Sequence, residues 1–569
     1  MQVVPTQTRF SKGEASSARG MVATKDRLAT RAGLEMLEAG GNAVDAAVAS
    51  CLAVGVVEPA SSGVGGGGYL TYQVGEHGGV VGFPMRGPLA AGPDMYSFTG
   101  EAAVGSFGWP DVVDNANLEG FQSIATPGAV AGLCEAHKRF GRLPLQDIAA
   151  PAVRLARAGY PANWFHVYGL GQQVGKLFKY EELRRIFLPG DEMPSADLMN
   201  PALIRNPELA DVLEAIGREG PDAFYRGDIA KAIVTDVQQN GGVLSEEDLA
   251  LYQPFVWEGG LEFEYHGKTV RVPLNACAGP TSAMTLKLLN GFDVASMGHN
   301  TTEMLHAYVS CARLAYEDRF TYLADPDTVD VPFEGLLSDT YAERRRATIG
   351  DKVLNFGPGD PWIEEGRSPT ETLVASKPAW DNGTTHLCVI DGEGNAVSLT
   401  NTLMAGFGSG IVPKGTGVVM NNGMMWFDPV SGRVNSIAPG KYPLNNMTPA
   451  LVLGKDGVKL VVGASGGRHI TNCVTQLIMK ALDFDMGPQE AIDSPRVDCS
   501  MPYTGMDPRI DEDVQSALRS RGHQLKTMAE DILQEGFSSF ASPVAIARNG
   551  KNELRAGVDT FHTAYAEGL

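Results

Sequence analysis

The spacing of hydrophobic positions changes several times along the chain, and these changes predict a mixed α/β protein. Near the start of the sequence, Leu28, Leu34 and Leu37 recur with the period of an amphipathic helix. Gly40 with its neighbouring glycine is typical of a helix C-terminus, and Asn42 is typical of the N-cap of a following helix. We therefore expect two consecutive helices in this part of the chain, the second made of small residues.

The elements predicted after these helices include both strands and helices. The segments GYLTYQV and GVVGF, separated by GEHGG, have the composition of a β-hairpin. Residues 130–330 are predicted to be largely helical, and after Pro378 the pattern changes to short strands with Gly and Asn turns. Residues 345–382, rich in Pro, Gly and charged residues, are predicted to form an exposed connection.

One predicted hairpin carries an unusual number of threonines. Residues 391–395 have the composition of a tight turn between two alternating segments. If Asp391 pairs with Asn395, Thr384 lies opposite Thr402 on one face of the sheet, with Cβ atoms ~5 Å apart, although a β-bulge would break this register. Two hydroxyls placed in this way fit either a nucleophile with a hydrogen-bonding partner or an inert Thr–Thr pair.

The composition narrows the range of functions. The chain has 569 residues, of which 43% are hydrophobic and 20% charged, as in globular proteins with large cores. Its formal net charge of -21 argues against nucleic-acid or anionic-membrane partners, because phosphate contacts require clustered Lys and Arg. We also find neither a run of ~18 apolar residues nor a secretory signal segment, so we expect no membrane association.

The cysteines indicate the cellular compartment. The seven cysteines lie far apart, form no CxxC motif and are odd in number. We interpret them as small buried hydrophobic residues in a reducing environment, which predicts a cytoplasmic protein.

Two motifs that would indicate a cofactor or metal are rejected by their context. Residues 63–68, GVGGGG, match G-x-G-x-x-G, but a dinucleotide site needs a strand before the motif and a helix after it. Here a predicted helix precedes and a predicted strand follows, so we interpret the motif as a tight turn. The ten histidines show no metal-ligand spacing, and His386 and His469 are predicted to be structural or to support the site from behind. We therefore predict no metal and no cofactor.

Ordered motifs over nearly the whole chain resemble the γ-glutamyltranspeptidase family of N-terminal nucleophile (Ntn) hydrolases. In chain order they are LEAGGNAVDAAVA, VVEPASSGVGGGGYL, TPGAVAG, GPDAFYRGDIA, NGGVLSEEDLALY, AYEDRFTYLADPD, TTHLCVIDGEGNAVSLTNT, FGSGIV, MNNGM and GASGGRHI. The resemblance implies an α/β fold of four layers, the αββα Ntn-hydrolase sandwich, made from a precursor that cleaves itself. The products would be a large subunit, residues 1–383, and a small subunit, residues 384–569, which together form one αββα domain. They would act as a heterodimer, alone or as a dimer of such heterodimers.

The family chemistry assigns a role to the first threonine of TTH. By resemblance, Thr384 attacks the carbonyl of Gly383, and water then hydrolyses the resulting ester. Cleavage frees the α-amine of Thr384, whose pKa near ~7.7–8.0 suits a general base at neutral pH. Thr385 is a rival nucleophile, but the family cleaves before the first threonine.

Three further residues match the family's catalytic machinery. Thr402 corresponds to the threonine that orients the nucleophile. The backbone N–H groups of Gly466 and Gly467 correspond to the donors that hold the oxyanion of the tetrahedral intermediate. The resemblance therefore implies an intact catalytic centre.

The positions that recognise a glutamyl group in the family are changed here. Pro84 stands in place of the arginine that binds the α-carboxylate, with Arg86 two residues away. Trp426 stands in place of the aspartate that pairs with the α-ammonium. A zwitterionic group would lose several kcal/mol of recognition without these partners, so we expect the acyl group not to be glutamyl.

Other family contacts differ as well. Met404 replaces an asparagine, and Asn445 and Asn446 replace a serine pair. Residues 427–443 form a shorter segment than the family's usual lid over the site, which predicts a more open pocket. The predicted substrate-binding residues are Arg86, Met404, Trp426, Asn445 and Asn446.

These observations predict a self-processing N-terminal-threonine amidohydrolase that cleaves an amide or acyl bond of a small non-glutamyl substrate through an acyl-enzyme. Three alternatives stay open at this point: a true γ-glutamyltransferase or glutathione hydrolase, an acylase or C–C bond hydrolase of a specialised pathway, and a non-catalytic relative. The predicted partner is a small-molecule amide or acyl substrate.

Overall fold

The chain folds into strands and helices over most of its length. The computed structural model describes residues 10–100, 109–353, 356–371, 373–376, 383–528, 540–550 and 553–569. The strands in these residues are β1 (Ala15–Ser17), β2 (Gly20–Thr24), β3 (Gly67–Val74), β4 (His77–Phe83), β5 (Tyr160–Pro161), β6 (Leu203–Ile204), β7 (Phe255–Glu258), β8 (Leu261–Tyr265), β9 (Lys268–Val272), β10 (Gly383–Asp391), β11 (Ala396–Met404), β12 (Ala450–Gly454), β13 (Gly457–Ser465), β14 (Val497–Asp498), β15 (Thr504–Met506), β16 (Leu525–Thr527), β17 (Ser542–Asn549), β18 (Glu553–Val558) and β19 (Tyr565–Gly568).

Helices connect and cover these strands. In chain order they are α1 (Arg27–Glu38), α2 (Ala43–Val57), α3 (Ala129–Phe140), α4 (Leu145–Ala158), α5 (Trp164–Gln172), α6 (Val174–Lys179), α7 (Glu181–Phe187), α8 (Pro207–Glu219), α9 (Asp222–Tyr225), α10 (Asp228–Gln239), α11 (Glu246–Ala250), α12 (Gly279–Leu289), α13 (Val294–Met297), α14 (Thr302–Tyr322), α15 (Phe333–Leu336), α16 (Asp339–Arg346), α17 (Trp362–Glu365), α18 (His469–Asp483), α19 (Pro488–Asp493) and α20 (Glu512–Ser520).

Two seven-stranded sheets stack on each other at the centre of the molecule. The first sheet has the strand order β19-β2-β10-β11-β3-β4-β7, and the second has the order β1-β18-β17-β13-β12-β9-β8. Apolar side chains such as Met21, Ile390, Val461 and Ile546 fill the space between the sheets. Helices α1–α4 cover the outer face of the first sheet, and α12, α14 and α18 cover that of the second. These four layers confirm the predicted αββα sandwich.

The central strand β10 is buried on both of its faces. Leu387 and Val389 pack against the helices, whereas Cys388 and Ile390 pack between the sheets, as expected from the alternation of side chains along a strand. All nine residues of β10 are buried. The threonine-rich hairpin is therefore part of the core.

The two helices predicted near the start of the chain are confirmed. Gly40 follows α1 with a φ of 89°, and the N–H of Gly41 donates to the carbonyl of Met36 over 2.9 Å, which closes the end of the helix. The Asn42 side chain caps α2, and its backbone N–H donates to the Asp45 carboxylate over 2.9 Å.

The predicted hairpin GYLTYQV–GVVGF is also confirmed, as β3 and β4. Residues 130–330 are largely helical, as predicted, but they also contain strands. Strands β7, β8 and β9 lie in this interval. Strand β7 forms one edge of the first sheet, and β8 with β9 forms one edge of the second. The segments LEFEY and KTVRV alternate with a period of two, a strand pattern that is short and surrounded by helical sequence.

The prediction of short strands after Pro378 is wrong for three of the strands in that region. Strands β10, β11 and β13 each span nine residues, because they are central in the two sheets. Helix α18 spans fifteen residues and covers the second sheet. The long strands and this helix contribute much of the core on both sides of the second sheet.

The interval 345–382 agrees with an exposed connection where it can be described. The structure describes all of it except residues 354–355, 372 and 377–382. Helix α16 ends within it, and α17 is the helix described after that point. Most of the described side chains between these helices and after them are half-buried or exposed.

The described residues contain neither a membrane span nor a cluster of metal ligands. Within them, no helix combines the length and the apolar character needed to cross a bilayer. The same residues contain no group of three His, Cys, Asp or Glu side chains suited to hold a metal ion. All seven cysteines are free and buried, as predicted for small core residues.

The glycine-rich residues 63–68 form the turn from α2 into β3, as predicted. A Cβ atom on Gly66 would lie 2.1 Å from the carbonyl oxygen of Thr402. Because no side chain fits at that distance, the turn needs glycine for a close approach between two backbone segments. This approach places the backbone of Thr402, near the end of β11, against the turn.

We expect Gly66→Ala to lower the free energy of unfolding by about 3 kcal/mol, because the Thr402 backbone would have to move. Gly92→Ala is the matched control, since a Cβ atom there meets no heavy atom within 4 Å. Chemical denaturation of both variants measures the difference. Equal stabilities would show that the approach of Gly66 to β11 is not tight.

Candidate active site

Thr384 lies at the start of β10, where a β-bulge distorts the strand. The predicted pairing with β11 is confirmed from Thr385, opposite Asn401, onward. Gly383 pairs instead with Met404, so the register shifts by one residue and Thr384 of β10 faces two residues of β11, Thr402 and Leu403. The prediction that Thr384 lies directly opposite Thr402 in the ladder is therefore wrong, because of the bulge.

The bulge nevertheless brings the two hydroxyls together. Thr384 Oγ1 lies 3.1 Å from Thr402 Oγ1, and the Thr402 hydroxyl donates to the carbonyl oxygen of Gly383. The backbone N–H of Met404 donates to Thr402 Oγ1 over 2.8 Å. Since a hydroxyl has one proton and two lone pairs, this arrangement makes Thr384 the donor to Thr402. We call this set of contacts the threonine relay.

The threonine relay differs from an inert threonine pair. Both threonine side chains are buried, Thr384 at 5% exposure and Thr402 at 0%. In the relay, the Thr402 hydroxyl donates to the carbonyl oxygen of Gly383, which belongs to the peptide bond before Thr384. A carbonyl that accepts such a hydrogen bond is better able to take up negative charge during attack.

Gly466 and Gly467 connect β13 to α18. Their φ angles are 125° and 59°, a region that favours glycine. A Cβ atom on Gly466 would lie 2.8 Å from the Cα atom of Ala541. The two residues precede the N-terminus of a fifteen-residue helix, whose dipole favours negative charge. Their predicted role as oxyanion donors is compatible with this position and stays a prediction.

A cavity of ≈ 100 Å³ opens beside Thr384, and we call it the nucleophile cavity. Gly383 and Gly466 also line it, so the structure brings these predicted site residues together. The rest of the wall comes from the end of α2, from α5 and α7, and from the start of β17. Its polar residues are Glu58, Ser61, His166, Gln173, Ser465, Ser542 and His562.

A buried polar network lies behind one part of this wall. The fully buried Lys25 donates to the Ser542 side chain, and Ser542 Oγ lies 3.0 Å from His562 Nδ1. His562 Nδ1 in turn lies 2.5 Å from Asp559 Oδ2. Burial lowers the pKa of Lys25 and lowers that of His562 to about 4, whereas it raises the pKa of Glu58 to about 8.

Sequence reasoning missed these cavity residues. They come from the end of α2, from the region of α5 and from the C-terminal part of the chain, so no short motif contains them. Glu58 lies within the quoted motif VVEPASSGVGGGGYL but has no separate chemical signature there. Only the folded chain brings them to one wall.

The histidines predicted to be structural are hydrogen-bonded inside the protein. His386 Nδ1 lies 2.9 Å from Thr400 Oγ1, and burial lowers the pKa of His386 to about 3. His469 Nδ1 lies 3.0 Å from the Asp498 carboxylate. Neither histidine lines the nucleophile cavity.

The predicted substrate-binding residues lie elsewhere. Met404 and Trp426 are buried in an apolar cluster with Met85, Met424 and Met447, which we call the methionine–tryptophan cluster. No residue of this cluster lines the nucleophile cavity.

Arg86, Asn445 and Asn446 make contacts within the protein. Arg86 lies over the ring of Tyr252, 5.8 Å from its centroid. The Asn445 side chain donates to the carbonyl of Ala276 over 2.7 Å. Asn446 Oδ1 accepts a 2.9 Å hydrogen bond from the buried Arg319. These three residues do not line the nucleophile cavity either, and their role in substrate binding stays a prediction.

Known proteins are similar to this chain in both sequence and fold. The family described as Gamma-glutamyltranspeptidase matches residues 29–568. The acylase ACY 1 proenzyme of Pseudomonas sp. (strain SE83) is 34% identical, over 92% of this chain and 90% of its own length. The glutathione hydrolase proenzyme of Bacillus subtilis (strain 168) is 32% identical, over 90% of this chain and 86% of its own. The crystal structure of cephalosporin acylase from Bacillus halodurans has a TM-score of 0.85 at 27% identity, with 100% of this chain and 99% of that chain covered.

Proposed function

The chain belongs to the gamma-glutamyltranspeptidase family and is a hydrolase or transferase of that family, and from this premise we propose that Thr384 becomes its nucleophile by self-cleavage. The proposed activity is that of an N-terminal-threonine amidohydrolase acting on a small non-glutamyl substrate. The observation that carries the proposal is the threonine relay, which joins the hydroxyl of Thr384 to the carbonyl of Gly383 through Thr402.

The first step of the proposal is an N-to-O acyl shift. Thr384 Oγ1 attacks the carbonyl carbon of Gly383, and the negative charge that develops on the carbonyl oxygen is stabilised by the Thr402 hydroxyl. The C–N bond then breaks, and the hydroxyl proton ends on the nitrogen of Thr384. Water hydrolyses the ester, which leaves a carboxylate on Gly383 and a free amine on Thr384.

The second step is turnover of substrate. The free amine of Thr384 accepts the proton of its own hydroxyl, and the oxygen attacks the substrate carbonyl. The N–H groups of Gly466 and Gly467 hold the resulting oxyanion, and the leaving amine takes the proton from the Thr384 ammonium. Water then hydrolyses the acyl-enzyme by the same route, since the amine is again available as a base.

The two products of self-cleavage are proposed to stay together as a heterodimer of residues 1–383 and 384–569. Strand β2 of the first part pairs with β10 and β19 of the second part. The core between the two sheets also combines side chains from both parts. Separation would expose this shared apolar surface to water, which is strongly unfavourable.

The proposal of a non-glutamyl substrate is supported by the methionine–tryptophan cluster. Trp426 is 1% exposed and Met404 is 0% exposed, and both pack among apolar side chains. An ammonium or carboxylate placed among them would lose its hydration without gaining a partner.

The test of this proposal combines the mass of the purified protein with an assay on γ-glutamyl-p-nitroanilide. We expect two chains that meet at residues 383 and 384, and negligible release of p-nitroaniline from the γ-glutamyl substrate. One intact chain would contradict self-processing. Rapid turnover stimulated by glycylglycine would instead indicate a true γ-glutamyltransferase.

A further inference from the structure

The open space next to Thr384 lies among residues that the sequence did not single out. The methionine–tryptophan cluster is packed with apolar side chains and contributes nothing to the wall of the nucleophile cavity. That cavity is bounded instead by the end of α2 and by α5 and α7, and both Thr384 and Gly466 reach it. An acyl group attached to Thr384 therefore has room on this side.

The wall of the nucleophile cavity is largely apolar and aromatic. Its aromatic residues are Tyr160, Phe165, Phe187 and Phe407. The rings of Phe187 and Phe407 are in contact, with centroids 5.0 Å apart. Apolar pockets with a few polar groups bind flat or branched apolar ligands well.

The titratable residues of the wall are not suited to bind a charged group. Burial lowers the pKa of both His166 and His562 to about 4, so both imidazoles are neutral at neutral pH. Burial also raises the pKa of Glu58 to about 8, which keeps its carboxyl protonated at neutral pH. Lys25 is held behind the wall by Ser542. A carboxylate or ammonium on the acyl group would find no charged partner here.

Glu58 places a carboxyl group in the wall of the nucleophile cavity. It is 8% exposed, and its carboxyl contacts the hydroxyl of the buried Thr385. The charged neighbours that influence it are Lys25, which favours the carboxylate, and Asp26, which opposes it. His166 lies on the same wall, with its Nε2 atom 3.9 Å from Asp26. An ionised Glu58 would place a negative charge in an apolar pocket.

We propose that the nucleophile cavity is the acyl-group pocket of this enzyme and that it takes an uncharged aromatic acyl group. This inference rests on the proposed function and names the substrate class of the same site. It predicts a preference for acyl groups such as phenylacetyl over glutaryl or γ-glutamyl.

The first test compares four p-nitroanilides that share one leaving group: phenylacetyl, acetyl, glutaryl and γ-glutamyl. Since p-nitroaniline is constant, differences in kcat/KM report the acyl group alone. We expect kcat/KM for the phenylacetyl compound to exceed those for the glutaryl and γ-glutamyl compounds by at least about tenfold.

A substitution in α5 tests whether the acyl group occupies this cavity. Gly169 lines the cavity, and a Cβ atom there would meet no heavy atom within 4 Å, so Gly169→Leu adds a side chain to open space. Gly171→Leu is the matched control on the same helix, because it also meets no atom within 4 Å and does not line the cavity. We expect Gly169→Leu to lower the ratio of phenylacetyl to acetyl kcat/KM by about tenfold, and Gly171→Leu to leave that ratio within about twofold.

The pH dependence of KM gives a second readout. Since burial raises the pKa of Glu58 to about 8, the carboxyl is neutral below that pH and becomes charged above it. We expect KM for the phenylacetyl compound to rise above about pH 8 in the natural enzyme. Glu58→Gln stays neutral, so its KM should not rise over the same range. A rise of equal size in Glu58→Gln would contradict the position assigned to Glu58.

The outcomes separate this inference from the proposed function. A chain that divides at residue 384 but prefers the glutaryl or γ-glutamyl compound overturns the acyl pocket and leaves self-processing intact. An unchanged substrate ratio in Gly169→Leu also overturns the pocket. A chain that neither divides nor hydrolyses any of the four compounds refutes the proposed function, and the inference with it.

Discussion

Replacing Thr384 with alanine is expected to leave the chain in one piece and to lower turnover by roughly 10⁴-fold or more. The alanine has no hydroxyl to attack Gly383, so the ester never forms and the amine at position 384 is never released. Loss of a nucleophile commonly removes nearly all covalent catalysis. Electrophoresis under denaturing conditions and an anilide assay of the purified variant measure both effects.

The neighbouring threonine provides a matched control for this variant. Thr385 is fully buried and its hydroxyl contacts the Glu58 carboxyl, so Thr385→Val removes the rival hydroxyl and this contact while it keeps the shape of the side chain. We expect Thr385→Val to be cleaved normally and Thr384→Ser to be cleaved at a measurable rate. Cleavage of the Thr384→Ala chain would show that Thr384 is not the nucleophile. The same conclusion would follow if Thr385→Val alone stayed uncleaved.

The second large effect is expected for Thr402→Val, which should slow self-cleavage by about 10²–10³-fold. The substitution removes the donor to the Gly383 carbonyl and the acceptor for Thr384 while it keeps the shape of the side chain. Loss of one donor to a developing oxyanion typically has an effect of this size. A time course of cleavage after rapid purification measures the rate.

Thr402→Ser distinguishes a chemical role from a structural one. Serine restores the hydroxyl, so cleavage should recover to within about tenfold of the natural rate. Equal cleavage rates in Thr402→Val and the natural protein would mean that the threonine relay has no part in the reaction. Slow cleavage in Thr402→Ser with normal stability would point to packing of the threonine methyl group instead.

The sequence predicted those parts of the fold that follow from local patterns. The capped helices on either side of Asn42 and the hairpin around residues 391–395 are formed by nearby residues, and the structure contains both. The four layers followed from the resemblance, since the order of motifs is a property of the whole chain. Short edge strands such as β8 were missed because five alternating residues are a weak pattern.

The details of the site were harder to predict because they depend on contacts between distant segments. The register correctly placed Thr385 opposite Asn401, but the bulge at Thr384 has no local sequence pattern. Glu58 and His562 are separated by most of the chain and share one wall only after folding. The burial that shifts their pKa values is likewise a property of the folded protein.

The predicted substrate residues were chosen by comparing single positions with the family's motifs, and such a comparison does not show where a cavity forms. The sequence has Trp426 in place of an aspartate, which predicts the loss of a charge partner, and Trp426 lies in a buried apolar cluster. Its role in substrate binding stays a prediction. The sequence did not indicate that space would open next to α5 instead. That space is formed by side chains from several elements, so it needed a structure.

Mass spectrometry of enzyme quenched during turnover of a p-nitroanilide tests the central claim most directly. The account predicts a small chain that begins at Thr384 and carries the mass of the acyl group on that residue. A new N-terminus at any other position, or an acyl adduct on another side chain, would contradict it.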